Sequence, residues 1–238
     1  MEGPRAIADA LSRGAPLDEI FLEEDQPLRG DIQTRALAAG VEVHLVGRQV
    51  TKVLTESSTP QGVVAVSRVP KTSLQDLSGD LVVVLDAVSD PGNAGTIIRT
   101  AAAAGASGVV FTSGCVDAFG PKTVRAAAGA LFETTVITDV GLEETIDRAR
   151  ALGLRVIGTS TESTVAYHDS DLTRPVAIVA GNEAWGVPVD HLDLMDETIT
   201  IPMAGSAESL NVATATSIVV FEVLRQRRLS SAGKEHGG

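Results

Sequence analysis

The chain is poor in several things, and each shortage removes a class of protein. One cysteine, Cys115, occurs in 238 residues. No internal disulfide can form, which excludes a disulfide-stapled scaffold and fits a reducing compartment. Aromatic residues make up only 3% of the sequence, with one tryptophan and one tyrosine. No stretch reaches the roughly 18 apolar residues of a membrane span. The amino terminus, MEGPRAIADA, lacks the basic start and apolar run of a secretory signal. A soluble cytoplasmic protein is expected. Basic residues are also scarce, 19 Lys+Arg against 31 Asp+Glu, for a formal charge of −12. On its face that argues against a polyanionic partner, because nucleic-acid binders usually carry a basic footprint. G-x-G-x-x-G, G-K-[ST] and G-x-S-x-G are all missing, which disfavours dinucleotide, P-loop and serine-hydrolase chemistry. His44, His168, His191 and His236 are scattered with no Cys or paired carboxylates at ligand spacing, so no metal is expected.

What is present is an α/β pattern. At about 150 residues per domain, the length allows one large domain or two small ones. Charge is uneven. Residues 1–70 carry 7 basic and 10 acidic side chains, residues 71–221 carry 8 and 19, and the end from Glu222 carries 4 and 2. The acidic excess therefore sits in the central block. The first segment alternates a helix-like RAIADAL, a strand-like DEIFLEE, a helix-like DIQTRALAAG closed by Gly40, and a strand-like VEVHLV, with the apolar run GVVAVSRV following. This predicts a compact α/β module over residues 1–67. The polar, turn-rich RVPKTSLQDLSGD marks a linker at 68–80. From Leu81 the runs LVVVLD, GVVF, LRVIG, VAIVAG and ETITIP are apolar without alternation, as parallel strands buried on both faces require. Helical stretches separate them, so a parallel-sheet α/β domain is predicted over 81–228, with a flexible tail at 229–238.

Ligands of open α/β sheets bind at the carboxyl ends of strands, and three of the loops there are unusual. In DAVSDPGNAGTIIRTAAAAGA, Asp90-Pro91-Gly92 forces a turn and Asn93 can cap the following helix. Gly95 and Arg99 share a face with Ala102 and Ala103, leaving room for a large group such as a ribose phosphate. A solvated helix arginine is the plain alternative. In GNEAWGVP, Gly181 lets a ligand approach the backbone, and Glu183 can hold a sugar hydroxyl or a cation. A lone tryptophan such as Trp185 is more often a core or interface aromatic. In IPMAGSAESLNVATATSIVVFE, Ser209 and Asn211 crowd a helix N-terminus, where N–H groups and the macrodipole favour an anion. Plain helix capping is the alternative. Cys115 reads as a buried small hydrophobe.

These three segments, in this order, resemble the SpoU (TrmH-like) branch of the SPOUT RNA methyltransferases. EGPRAIADAL and TESSTPQGVVAV are similar to that family's substrate-binding module, of ribosomal L30e type, here shortened at its start. The resemblance implies an α/β fold in which a small L30e-like module precedes a parallel-sheet domain with a deep trefoil knot. It implies a homodimer with S-adenosyl-L-methionine bound by Thr159, Gly181, Ile201, Met203 and Leu210. It further implies methyl transfer to a ribose 2′-hydroxyl of RNA, ribosomal rather than transfer RNA, with no metal and no membrane. Asn93, Arg99, Glu183, Ser209 and Asn211 would supply donors and acceptors for the sugar and its phosphate. Arg99 is the base proposed for the family. A guanidinium stays protonated over the working pH range, so gripping the adjacent phosphate and stabilising the alkoxide is a second role open to it. The family often has serine where this chain has Ala213. A structured-RNA-binding protein without activity is the alternative function. The acidic charge is then reconciled by a local basic face, for which Arg5, Arg13, Arg29, Arg35, Arg48, Lys52, Arg99, Lys122 and Arg125 are the candidates.

Overall fold

The structure is a computed structural model that describes residues 1–55 and 59–235, the side chains of 233–235 excepted. Glu56, Ser57 and Ser58 of the TESSTPQGVVAV stretch, and residues 236–238 of the expected tail, lie outside the described residues. The elements are α1 (Pro4–Ser12), β1 (Leu17–Glu23), α2 (Arg29–Ala39), β2 (Glu42–Val46), α3 (Arg48–Leu54), β3 (Val63–Ser67), β4 (Leu81–Leu85), α4 (Pro91–Ala103), β5 (Gly108–Thr112), α5 (Pro121–Ala127), β6 (Thr135–Val140), α6 (Leu142–Ala151), β7 (Arg155–Thr159), β8 (Val176–Ala180), α7 (Val189–Leu192), β9 (Glu197–Ile199) and α8 (Val212–Glu235).

The first sheet has the order β2-β1-β3, with β1 parallel to β2 and antiparallel to β3. Glu2 bridges to Val64, and the Ala65 N–H donates to the Met1 carbonyl. Ile7, Ala10, Ile20, Leu22, Ile32, Ala36 and Val63 form its core. Gly40 closes α2 in the left-handed conformation at φ 69°, as its position after the helix predicts. Phe132 reaches into this core from the larger domain, and Arg13–Glu133 and Arg125–Glu2 ion pairs cross between the two parts.

The second sheet is parallel throughout, in the order β6-β5-β4-β8-β7-β9. Every residue of β4, β5 and β8 is buried. Leu81, Val83 and Leu85 enter a cluster with α4 and α8, while Val82 and Val84 enter one with α6. That period of two is what helices on both faces demand of a strand, and each such valine contributes about 1.5–3 kcal/mol.

Four features differ from the sequence expectation. The motif reading leaves out β6, whose half-exposed TVITDV mixes polar residues into the run of an edge strand. It also leaves out α3, where only Thr51 is buried, too little to write an apolar stripe. The linker stretch is half seated. Ser73 and Asp76 form a capping box around a 3-10 turn, Leu74 and Leu77 are buried, and Arg148 donates to the Leu74, Gln75 and Leu77 carbonyls at 2.9, 3.1 and 3.0 Å. Residues 229–235, expected as part of a flexible tail, continue α8, because no proline interrupts the helix through Glu235. Among the described residues no helix is long and apolar enough to cross a membrane.

Candidate active site

Strand order sets the site. β4 and β8 are neighbours, with Leu85 opposite Ala180, so the loops after them emerge side by side. From β4 the chain runs outward through β5 and β6, then crosses to the other side. The gap between β4 and β8 is therefore the reversal point at which such sheets bind ligands. A cavity of about 640 Å³ opens beside this gap, at the carboxyl ends of β7, β8 and β9 and the start of α8, within the range of small-molecule sites. Thr159, Gly181, Glu183, Ile201, Met203, Ser209 and Leu210 line it. No basic side chain does so, whereas Glu162, Glu183 and Glu208 do. Such a wall favours a cationic ligand and opposes one carrying phosphates.

Asn93 and Asn211 stand behind this wall. Asn211 Nδ2 donates to Asn93 Oδ1 at 2.8 Å, and Asn93 Nδ2 donates to Glu183 Oε1 at 3.0 Å. Glu183 also accepts from the Asp90 N–H at 3.0 Å and from the Ser89 N–H and hydroxyl at 3.1 and 3.0 Å. Partial burial pushes the Glu183 carboxyl up. The hydrogen bonds from Asn93 and from backbone N–H groups outweigh it and hold the group at about 2. With four donors engaged, this carboxylate is spent on joining the two loops, which leaves little of it for a sugar hydroxyl. Arg99 is exposed on α4, and its side chain has no partner among the described residues.

The structure corrects several local readings. Asp90, not Asn93, caps α4, its Oδ1 accepting the Asn93 N–H at 2.8 Å. That leaves the Asn93 side chain for Glu183. The bare face at Gly95 holds α5 rather than a ligand, since a Cβ there would lie 2.5 Å from the Ala126 Cβ and 2.6 Å from the Thr123 carbonyl. Gly181 admits its own loop, because a Cβ would meet Gly186 and Val187 backbone atoms at 2.2–2.4 Å. Asn211 caps α8 by accepting from the Ala213 and Thr214 N–H groups at 2.9 and 3.2 Å. Those N–H groups are thus engaged within the chain, and alanine at 213 loses no cap. Trp185 is 65% exposed on the cavity rim and is no core residue. Cys115 donates to the Leu85 carbonyl at 3.1 Å, and burial pushes its thiol up, away from nucleophilic use. Among the described residues no three His, Cys, Asp or Glu side chains gather as a metal site.

The candidate basic residues divide. Arg13, Arg35 and Arg125 are paired with Glu133, Asp31 and Glu2, and Arg29 bonds to Gln33 and the Glu24 carbonyl. The exposed Arg5, Arg48, Lys52, Arg99 and Lys122 have no side-chain partner among the described residues. Asp86, Asn182 and His191 also belong to the site and escape the motif reading. The first two directly follow strand ends, a signal that could have found them. Nothing in the sequence marks His191.

Residues 80–221 match the model of the SpoU rRNA Methylase family, and residues 1–79 match RNA 2′-O ribose methyltransferase substrate binding. Among curated relatives, the chain is 34% identical to the 23S rRNA (guanosine(2553)-2′-O)-methyltransferase RlmP of Bacillus subtilis, over 94% of this chain and 87% of that one. It is 31% identical to the 23S rRNA (uridine(2479)-2′-O)-methyltransferase of Streptomyces viridochromogenes, over 94% and 82%. Two solved structures are similar. The AdoMet-bound rRNA methyltransferase from Sinorhizobium meliloti has a TM-score of 0.82 at 36% identity, covering 94% of this chain and 86% of that one. The Streptomyces viridochromogenes SpoU methyltransferase AviRb with AdoMet has a TM-score of 0.85 at 31% identity, covering 96% and 89%. With both of its parts matched, the chain belongs to the SpoU rRNA methylase family.

Proposed function

We propose that this protein transfers a methyl group from S-adenosylmethionine to a ribose 2′-hydroxyl of ribosomal RNA, as a cytoplasmic homodimer. The observation that carries the reading is the cavity at the carboxyl ends of β7, β8 and β9, walled by carboxylates and joined through Glu183, Asn93 and Asn211 to the loop that begins α4. Its donor set fits the cofactor: a cavity without cations accepts a sulfonium and an ammonium. Thr159, Gly181, Ile201, Met203 and Leu210 would hold it. When bound, the cofactor supplies an electrophilic methyl.

The chain's own residues then have separable tasks. Arg99, exposed and unpaired, meets the phosphate beside the target ribose and stabilises the developing alkoxide, as a permanently charged guanidinium can. Asn93 and Asn211 hold the Glu183 link, and Ser209 lines the substrate side of the cavity. The printed activities of the relatives support ribosomal over transfer RNA. The homodimer and the trefoil knot belong to the same reading. An apolar patch on α8, with Phe221 47% and Leu229 60% exposed, supports a second copy packing there.

The test is incubation of ribosomal and transfer RNA with labelled cofactor, followed by alkaline hydrolysis, which a 2′-O-methyl blocks. Alkali-resistant labelled dinucleotides from ribosomal RNA are expected, with a loss of at least about 100-fold in Arg99→Ala, the scale of one removed charge-stabilising donor. RNA binding without any resistant dinucleotide would replace the enzyme by a non-catalytic RNA-binding protein.

A further inference from the structure

The proposed mechanism leaves the buried charge of Asp86 unused. Asp86, the residue after β4, is 3% exposed and would be costly to bury without partners. It has two. The Thr112 hydroxyl donates to its Oδ1 at 3.1 Å, and His191 Nδ1 lies 2.6 Å from its Oδ2. An ionised carboxylate only accepts, so His191 Nδ1 carries the proton. His191 sits on α7 between Val189 and Leu192, both of which line the cavity. The bond therefore runs from the sheet's carboxyl edge to the outer wall of the site.

Neighbouring contacts aim the same way. Ala87 is held at φ 55°, a left-handed conformation that costs a non-glycine residue free energy. Its carbonyl accepts from Asn182 Nδ2 at 2.8 Å and its N–H donates to Thr112 Oγ1 at 3.3 Å. The segment from Asn182 to His191 is thus tied to the segment from Asp86 to Asn93 at three places: Asn182 to Ala87, Glu183 to Ser89, Asp90 and Asn93, and His191 to Asp86. Only the last ends on a buried charged side chain.

We propose that the His191–Asp86 pair positions the α7 wall of the cofactor cavity, so that cofactor affinity depends on this bond. The cavity's assignment to S-adenosylmethionine rests on the function proposed above; the staple itself does not. When the bond is removed, the buried carboxylate keeps only the Thr112 hydroxyl as a side-chain partner, and the wall is held less firmly.

Trp185, the chain's only tryptophan, lies in the tied segment and reports on it directly. The experiment measures ligand-free tryptophan emission and the calorimetric Kd for S-adenosylmethionine for wild type, His191→Gln and His191→Ala at one pH. His191→Ala is expected to shift the emission and to raise the Kd by about three- to tenfold, the effect of losing one hydrogen bond to a charged group. Gln keeps a donor, so it should restore most of both. A His191→Ala protein with wild-type emission and affinity, or a Gln protein no better than Ala, would overturn the proposal. If no protein binds the cofactor, the functional reading fails, and the emission shift alone decides on the staple.

Discussion

Gly181→Ala tests the geometry of the site most directly. Its new Cβ would lie 2.2 Å from the Gly186 carbonyl carbon, 2.3 Å from the Val187 nitrogen and 2.4 Å from the Gly186 oxygen. All three are backbone atoms, so no rotamer change relieves the clash. Regaining an ordinary contact of 3.4 Å requires the loop to retreat by about 1 Å. Two hydrogen bonds resist that movement, Asn182 N–H to Gly186 O and Gly186 N–H to Asn182 O, both 2.9 Å. Losing both, at about 0.5–1.5 kcal/mol each, together with residual overpacking of about 1–3 kcal/mol, gives a cost of roughly 2–6 kcal/mol. At about 2–4 °C per kcal/mol for a chain of this size, the melting temperature should fall by about 6–12 °C for a cost near 3 kcal/mol. Because the displaced atoms line the cavity, cofactor affinity should fall by about 100-fold or more. Gly205→Ala is the control, since nothing lies within 4 Å of its Cβ and its φ is not positive; it should stay within about 0.5 kcal/mol of wild type. Thermal unfolding and calorimetric binding give both readouts. A Gly181→Ala protein that melts and binds like Gly205→Ala would refute the packing argument.

Two further outcomes are expected. Glu183→Gln replaces an oxygen that accepts from Ser89 by an amide that donates, and should cost about 1–2 kcal/mol once solvent exposure is allowed for. Because the folded carboxyl sits at about 2, below its ordinary 4.5, its contribution is present above 4.5 and is lost as pH falls towards 2. The stability gap between the two proteins should therefore close on acidification, and a gap unchanged at pH 2 would contradict the charge-based account. Arg48→Ala with Lys52→Ala removes two unpaired cations one turn apart on α3. RNA affinity measured against salt should lose roughly 0.7–0.9 from its slope for each phosphate contact removed, and an unchanged slope would take α3 out of the RNA surface.

How much of this could be read in the chain depends on distance along it. The parallel strands announce themselves because β4, β5 and β8 need an apolar residue at every position. Two of the three motif loops are legible because each follows such a run, while the third follows β9, of which only Ile199 is buried. Edge elements are not: β6 and α3 bury too little to carry a pattern. The roles of individual residues were the least legible. Gly95 and Gly181 look alike as small residues beside a ligand, yet α5 fills the space at one and the chain's own loop fills it at the other.

The sequence alone determined the α/β class and the order of the motifs, because these follow from local pattern and strand-end position; the family resemblance supplied the cofactor contacts, and seven of the ten expected site residues line the cavity. Only the tertiary structure decided which groups bond to which. Glu183 reaches Ser89 across 94 positions, Asn211 reaches Asn93 across 118, and His191 meets Asp86 across 105. Those pairings depend on β8 returning beside β4, a choice of strand order that no local stretch encodes. The net charge of −12 behaves the same way. It is a sum over the sequence, while which cations stand exposed and without a partner among the described residues, Arg5, Arg48, Lys52, Arg99 and Lys122 with them, is a property of the folded surface.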